Sequence, residues 1–126
     1  MRWLLDSNVW IEAAAGLPCA SRILAQAATI DWCGFSSISR LEVLGFPNMT
    51  VTEESALLAI LAQFNEIPVS SHVIDRAIQL RRQVKLKVPD AIIAATALVQ
   101  NAALITRNTA DFKHVSVLTV LDPASF

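Results

Sequence analysis

The chain has 126 residues, 54% of them hydrophobic, with a mean hydropathy of +0.49, which suits one packed domain over 1–126 and argues against disorder. Ten Lys and Arg against eleven Asp and Glu exclude a protein that holds nucleic acid by overall positive charge, leaving local patches as the electrostatic route. Cys19 and Cys33 lack Cys-x-x-Cys spacing, and His72 and His114 lack a second soft ligand nearby in sequence, so free thiols are expected and a structural zinc is not.

In chain order, WLLD (3–6) reads as a first strand ending in an acid. A short helix follows from Asn8 to Ala15, closed by Gly16 and Pro18. Asp6, Asn8 and Glu12 interrupt this opening stretch, so it lacks the apolar region of a signal peptide. No later apolar run reaches the roughly 20 residues of a membrane span, and a cytoplasmic setting without membrane contact is expected.

Ser21 to Ile30 is helical in composition, WCGFS (32–36) predicts a second strand, and SISRLEVLGF (37–46) predicts a helix that Gly45 and Pro47 end. TVTEESALLAILAQF opens on a capping box of Thr50 and Glu53 and repeats Leu57, Leu61 and Phe64 on one face. IPV (67–69) predicts a third strand. Val73, Ala77, Leu80 and Val84 then mark an amphipathic helix from Ser71, and LKVPD a turn into the helix DAIIAATALVQN. ALIT (103–106) and VSVLTV (115–120) complete the strands. Strands separated by helices, with continuous apolar runs, predict an α/β fold whose parallel sheet is covered on both faces.

In such a sheet, ligands collect outside the carboxyl ends of the strands. Asp6 falls at one such end, and Thr106, Asn108 and Asp111 follow another. Asp90 opens a helix, where free N–H groups favour negative charge, and Glu42 lies on a helix that could carry it inward. Each also has a plain structural reading: Asp6 and Asp90 as helix caps, Asp111 as a turn residue, Glu42 as a solvated helical acid. If the acids converge, each pair about 5 Å apart costs roughly 3 kcal/mol at an effective dielectric of about 20. Such a cluster holds protons or recruits a hard cation, for which magnesium or manganese fits.

The segments LLDSNVWI (4–11), SRLEVLGF (39–46), VPDAIIAATAL (88–98) and LITRNTADF (104–112) together resemble the four signature segments of the PIN-domain family, in particular the VapC-type toxins of bacterial toxin–antitoxin pairs. The likeness spans nearly the whole chain. It implies a three-layer α/β/α sandwich with a mainly parallel five-stranded sheet. It also implies a Mg2+- or Mn2+-dependent endoribonuclease, hydrolysing RNA by a metal-activated water. Residue by residue, Asp6, Glu42, Asp90 and Asp111 match the four acids that would hold metal and carry catalysis. Thr106 and Asn108 match the polar positions after the fourth strand, and Ser7 and Asn8 those after the first acid. The resemblance further implies a homodimer and a cognate antitoxin whose tail lies in a groove.

Other features stay open at the level of sequence. Arg76, Arg81, Arg82, Lys85 and Lys87 form the only basic concentration, either a phosphate track or a solvated face. Arg107 suits an ion pair better than substrate contact, and Trp3, Trp10 and Trp32 suit core packing better than base stacking. The apolar residues around Ile11 to Ala15 and Val43 to Phe46 exceed the needs of one small core. Two rival functions remain. Asp6-Ser7-Asn8 after a strand resembles the nucleophile loop of a haloacid-dehalogenase-type phosphatase, although no lysine stands where that chemistry needs one. The other rival is a non-catalytic RNA- or protein-binding module. Neither a Gly-x-Gly-x-x-Gly run nor a Walker A loop supports nucleotide binding.

Overall fold

A computed structural model describes residues 1–126. Its elements run β1 (Arg2–Leu5), α1 (Ser7–Ala14), α2 (Pro18–Ala27), β2 (Trp32–Ser36), α3 (Ser37–Leu44), α4 (Val51–Leu61), β3 (Asn65–Ile67), α5 (Ser71–Gln83), α6 (Val88–Val99), β4 (Ala103–Ile105) and β5 (Val120–Leu121). The five strands lie in the order β3-β2-β1-β4-β5, and every neighbouring pair is parallel. This is the expected α/β/α sandwich. No helix is long and apolar enough to cross a membrane.

Alternation along β1 shows how the layers are divided. Trp3 and Leu5 point to one face, where Val9, Trp10, Ile23, Val43, Leu57 and Leu61 from α1 to α4 meet them. Leu4 points to the other, against Val73, Ala77 and Leu80 of α5 and Ile93, Ala94 and Ala97 of α6. Because α6 is sandwiched, seven consecutive residues from Ala91 to Ala97 are buried. Trp10 sits edge-on to Phe35, with ring centroids 5.5 Å apart, and its indole N–H donates to the Leu5 carbonyl at 3.1 Å. Trp3 is also buried. Trp32 stacks beneath the Arg2 guanidinium, 4.6 Å from the ring centroid, so the tryptophans serve packing. Burial pushes the Cys33 thiol up to about 12, which makes it an inert core residue.

Several boundaries differ from the sequence expectation. β1 stops at Leu5, and Asp6 becomes the N-cap of α1. α2 starts at Pro18, whose fixed φ and missing N–H suit a first helical position, rather than at Ser21. The third strand is Asn65–Ile67 instead of 67–69, because Pro68 has no N–H for the ladder, while the Asn65 side chain donates to the Cys33 carbonyl at 2.9 Å. The last strand shrinks to Val120–Leu121. Val115 and Leu118 are apolar because turns bury them against α6, not because they are strand.

Gly34 illustrates how tightly β2 and β3 approach. A Cβ there would lie 2.6 Å from the Asn65 carbonyl oxygen and 2.6 Å from the Trp32 ring, so only glycine fits.

Candidate functional site at the switch point of the sheet

β1 and β4 are adjacent, yet their following connections run to opposite sides of the sheet, β1 toward β2 and β4 toward β5. The crevice beyond their carboxyl ends is therefore the topological switch point, where open α/β sheets take ligands. Leu5 pairs with Ile105 in register, and the Asp6 N–H extends the ladder by donating to the Ile105 carbonyl at 3.0 Å. Asp6 and Thr106 are thus brought side by side at the floor of the crevice.

Both carboxylate oxygens of Asp6 are held. The Ser7 N–H donates to Oδ1 at 2.8 Å, and the Thr106 hydroxyl donates to Oδ2 at 2.9 Å. Thr106 is fully buried, and its oxygen accepts in turn from the Asn108 N–H at 3.1 Å and the Asn8 side-chain amide at 3.4 Å. Asn8 closes the network by accepting from the Arg107 N–H at 3.3 Å. Arg107 Nη1 reaches Glu12 at 2.9 and 3.1 Å, an ion pair that pins the segment after β4 to α1, in keeping with its expected structural role.

The other acids arrive from separate elements. Glu42, on the solvent side of α3, accepts from the Ser7 hydroxyl at 2.7 Å; helix packing buries its neighbour Val43 and leaves Glu42 on the rim rather than inside. Asp90 lies in the first turn of α6, after Pro89. Asp6, Ser7, Asn8, Glu42, Asp90 and Asn108 line one cavity of about 240 Å³, whose apolar walls include Ile11 and Phe46. Asp111, in a 3-10 turn at Thr109–Phe112, stands outside that lining, but its charge is felt by both Asp6 and Asp90.

The electrostatics follow from burial and crowding. Burial raises the Asp6 carboxyl above the ordinary carboxylate range, against the opposing pull of the Ser7 and Thr106 hydrogen bonds, with Glu42 and Asp111 adding to the rise. Burial also raises Asp90, reinforced by Asp111 and Asp6 and opposed by Lys87. The structure's ion pairs join the chain amino terminus with Asp31, Arg40 with Glu66, and Arg107 with Glu12, so none neutralises the crevice acids. An all-oxygen, uncompensated set of this kind suits a hard divalent cation. No three of the His, Cys, Asp and Glu side chains gather closely enough to grip an ion by themselves.

The sequence marked Ile11 and Phe46 as surplus apolar residues and Arg107 as suited to an ion pair, but did not place the first two in the crevice wall or name Glu12 as the partner. The i, i+4 spacing of Asn8 and Glu12, which puts both on the α1 face toward residues 106–108, was the available signal. No lysine lines the crevice.

Fold and crevice together define a class: parallel α/β proteins with an acid-lined cleft at the switch point. The chain belongs to the PIN-domain family, whose model matches residues 3–118. Membership supports a nuclease-type role in general. No curated protein matches the chain in sequence. Among solved structures, a toxin–antitoxin complex from Klebsiella pneumoniae contains a chain 35% identical, with a TM-score of 0.80 over 95% of this chain and 96% of that one. Two others share the fold at lower identity. One is VapBC2 from Rickettsia felis bound to a promoter DNA fragment, at 22% identity and TM-score 0.85 over 97% and 98% of the two chains. The other is FitAcB from Neisseria gonorrhoeae, at 24% and 0.79 over 98% and 99%.

Proposed function

We propose that this protein is a metal-dependent endoribonuclease and the toxin of a toxin–antitoxin pair. The observation that carries the reading is the buried Asp6 carboxylate, fixed by the Ser7 N–H and the Thr106 hydroxyl among acids that no base neutralises. Asp6, Asp90 and Asp111 are assigned to hold Mg2+ or Mn2+, partly through water, with Glu42 at the rim. When bound, such an ion supplies a nucleophile at neutral pH and offsets charge developing at phosphorus. The residues of the chain do the rest. Thr106 locks the orientation of Asp6, Asn8 and Asn108 lock Thr106, and Ser7 aims Glu42 toward the cavity. Glu42 is assigned to accept a proton from water at the cleft's open side.

The partner reading rests on a second cavity of about 490 Å³, lined mostly by apolar residues including Ile11, Ala14, Val43, Phe46, Met49 and Leu57. Ile11 and Phe46 wall both this groove and the acid cavity, so the two are adjacent. An antitoxin segment with an apolar body and a basic side chain fits that sequence of surfaces. The Klebsiella pneumoniae relative is named as part of a toxin–antitoxin complex, which favours the same partner class here. Pairing with a second copy of the chain is part of the same proposal, and would cover apolar side chains such as Leu41 and Val88 that the single chain leaves exposed.

The test is cleavage of RNA by purified protein in magnesium or manganese, beside Asp6→Asn. The parent is expected to cut and the variant to be slower by on the order of a hundredfold or more. Equal rates would overturn the nuclease, and RNA binding without cleavage by the parent would favour a non-catalytic binding module.

A further inference from the structure

Charge in this chain is segregated. From Arg76 to Pro89 there are five of the ten bases and none of the eleven acids. The five bases elsewhere are largely committed: Arg2 donates to the Gln100 carbonyl, Arg40 pairs with Glu66 and Arg107 pairs with Glu12. By contrast Arg81, Arg82, Lys85 and Lys87 form no ion pair and are exposed, and of these only Arg81 has a hydrogen bond, from Nε to a backbone carbonyl. No acid stands at i−4 or i−3 to support Arg81 or Arg82 by pairing along the helix; those positions hold Ala77, Ile78 and Gln79.

The bases also have a shaped setting. Arg81, Arg82, Gln83, Val84, Lys85 and Leu86 line an open depression of about 380 Å³ at the end of α5. Arg81 Nε donates to the Leu86 carbonyl at 3.1 Å, tying the end of α5 to the corner before α6, on which Lys85 is exposed. The same corner leads into the acid crevice, since Lys87 caps α6 and Pro89 and Asp90 line the cavity. Chain connectivity keeps Lys85 within about 17 Å of Asp90. The Lys87 charge is near enough to oppose the rise at Asp90.

An acid-lined cleft repels a polyanion, and the cation it holds compensates only at the scissile phosphate. Neighbouring phosphates need positive charge from the protein, and a polyanion too long for the cleft must cross its rim. We propose that the strip Arg81, Arg82, Lys85 and Lys87 seats the phosphodiester backbone of RNA flanking the cleaved bond, with Arg82 and Lys85 as its principal phosphate contacts. This rests on the nuclease reading and adds the direction in which substrate leaves the cleft: over the α5–α6 corner. The contacts are to backbone, so they position RNA and do not select sequence.

Binding and cleavage are measured separately so that the two readings fail separately. A fluorescent oligouridylate is titrated, across a salt series, with protein carrying Asp6→Asn and with the same protein carrying Arg82→Gln and Lys85→Gln in addition. Loss of two phosphate contacts should weaken binding and make the slope of log K against log salt shallower by about 1.4. Arg22→Gln, which removes an exposed base from α2, should leave the slope as it was. An unchanged slope in the double variant, or no binding by the protein with the strip intact, overturns the proposal. So does loss of binding to polyglutamate but not to oligouridylate, which would assign the strip to an acidic protein partner. Whether the parent cleaves RNA, and Asp6→Asn does not, is scored independently and decides the nuclease alone.

Discussion

Two groups of carboxylates in this molecule live under opposite conditions. Glu66 accepts from the Ser37 hydroxyl at 2.6 Å and from Arg40 at 2.9 Å, and these partners pull its carboxyl below the ordinary range. Asp6 and Asp90 have no basic partner in hydrogen-bond reach and are pushed the other way by burial and by neighbouring acids, Asp111 and Glu42 among them. The first group contributes to stability; the second detracts from it. Acids kept against the interest of the fold are acids kept for another purpose, and perturbed carboxyls in a cleft are where a functional site is to be sought.

The sharpest way to break this contrast is at Thr106. Thr106→Val keeps the shape but removes the donor to Asp6 and the acceptor for Asn8 and Asn108, and RNA cleavage should fall about 10–100-fold, as for other residues that orient a ligating side chain. Activity equal to the parent's would show that Asp6 needs no orientation. Next in size is a gain. Asp6→Asn removes a buried charge from the crowd, so at neutral pH the variant should melt above the parent in the absence of divalent ion. Adding manganese should raise the parent's melting temperature and leave the variant's nearly unmoved.

The pH dependence gives the two groups opposite signs. Asp6 and Asp90 have folded values above their unfolded ones, so the folded chain binds more protons and their penalty grows as pH rises from the unfolded value of 3.8 through the raised one. Glu66 is lowered, so its contribution is present above its unfolded value of 4.5 and is lost as pH falls through the folded one. Thermal melts of Asp90→Asn should therefore converge on the parent's as pH drops below the crevice range. The smallest effect is expected from Glu66→Gln, less than about 1 kcal/mol at neutral pH because the pair is half exposed. A larger loss in chemical denaturation would mean that this edge of the sheet depends on charge more than its exposure suggests.

Much of the crevice was legible because its residues sit at punctuation marks. Asp6 ends an apolar run, Asp90 follows a proline that opens a helix, and Thr106 and Asn108 follow another strand. These positions are set by local rules. The failures have a different source. Asn65 and Glu66 are polar and exposed, yet form an edge strand because β2 offers its free side and Gly34 lets the backbones close. Val115 and Leu118 carry a strand-like pattern that turns satisfy instead. The groove beside the acids is assembled from α1, α4 and the 46–49 turn; sequence showed the surplus apolar residues but not their meeting. Contacts of that kind depend on how elements pack, which periodicity does not encode.

The amide of Asp6 belongs to the central ladder, bonded to Ile105 as though β1 had one more residue. In hydrogen exchange it should open only with the body of the protein, while the two-residue β5 at the sheet's edge frays earlier. The floor of the cleft is thereby insulated from breathing at the margins, and a ligand entering meets a surface already set.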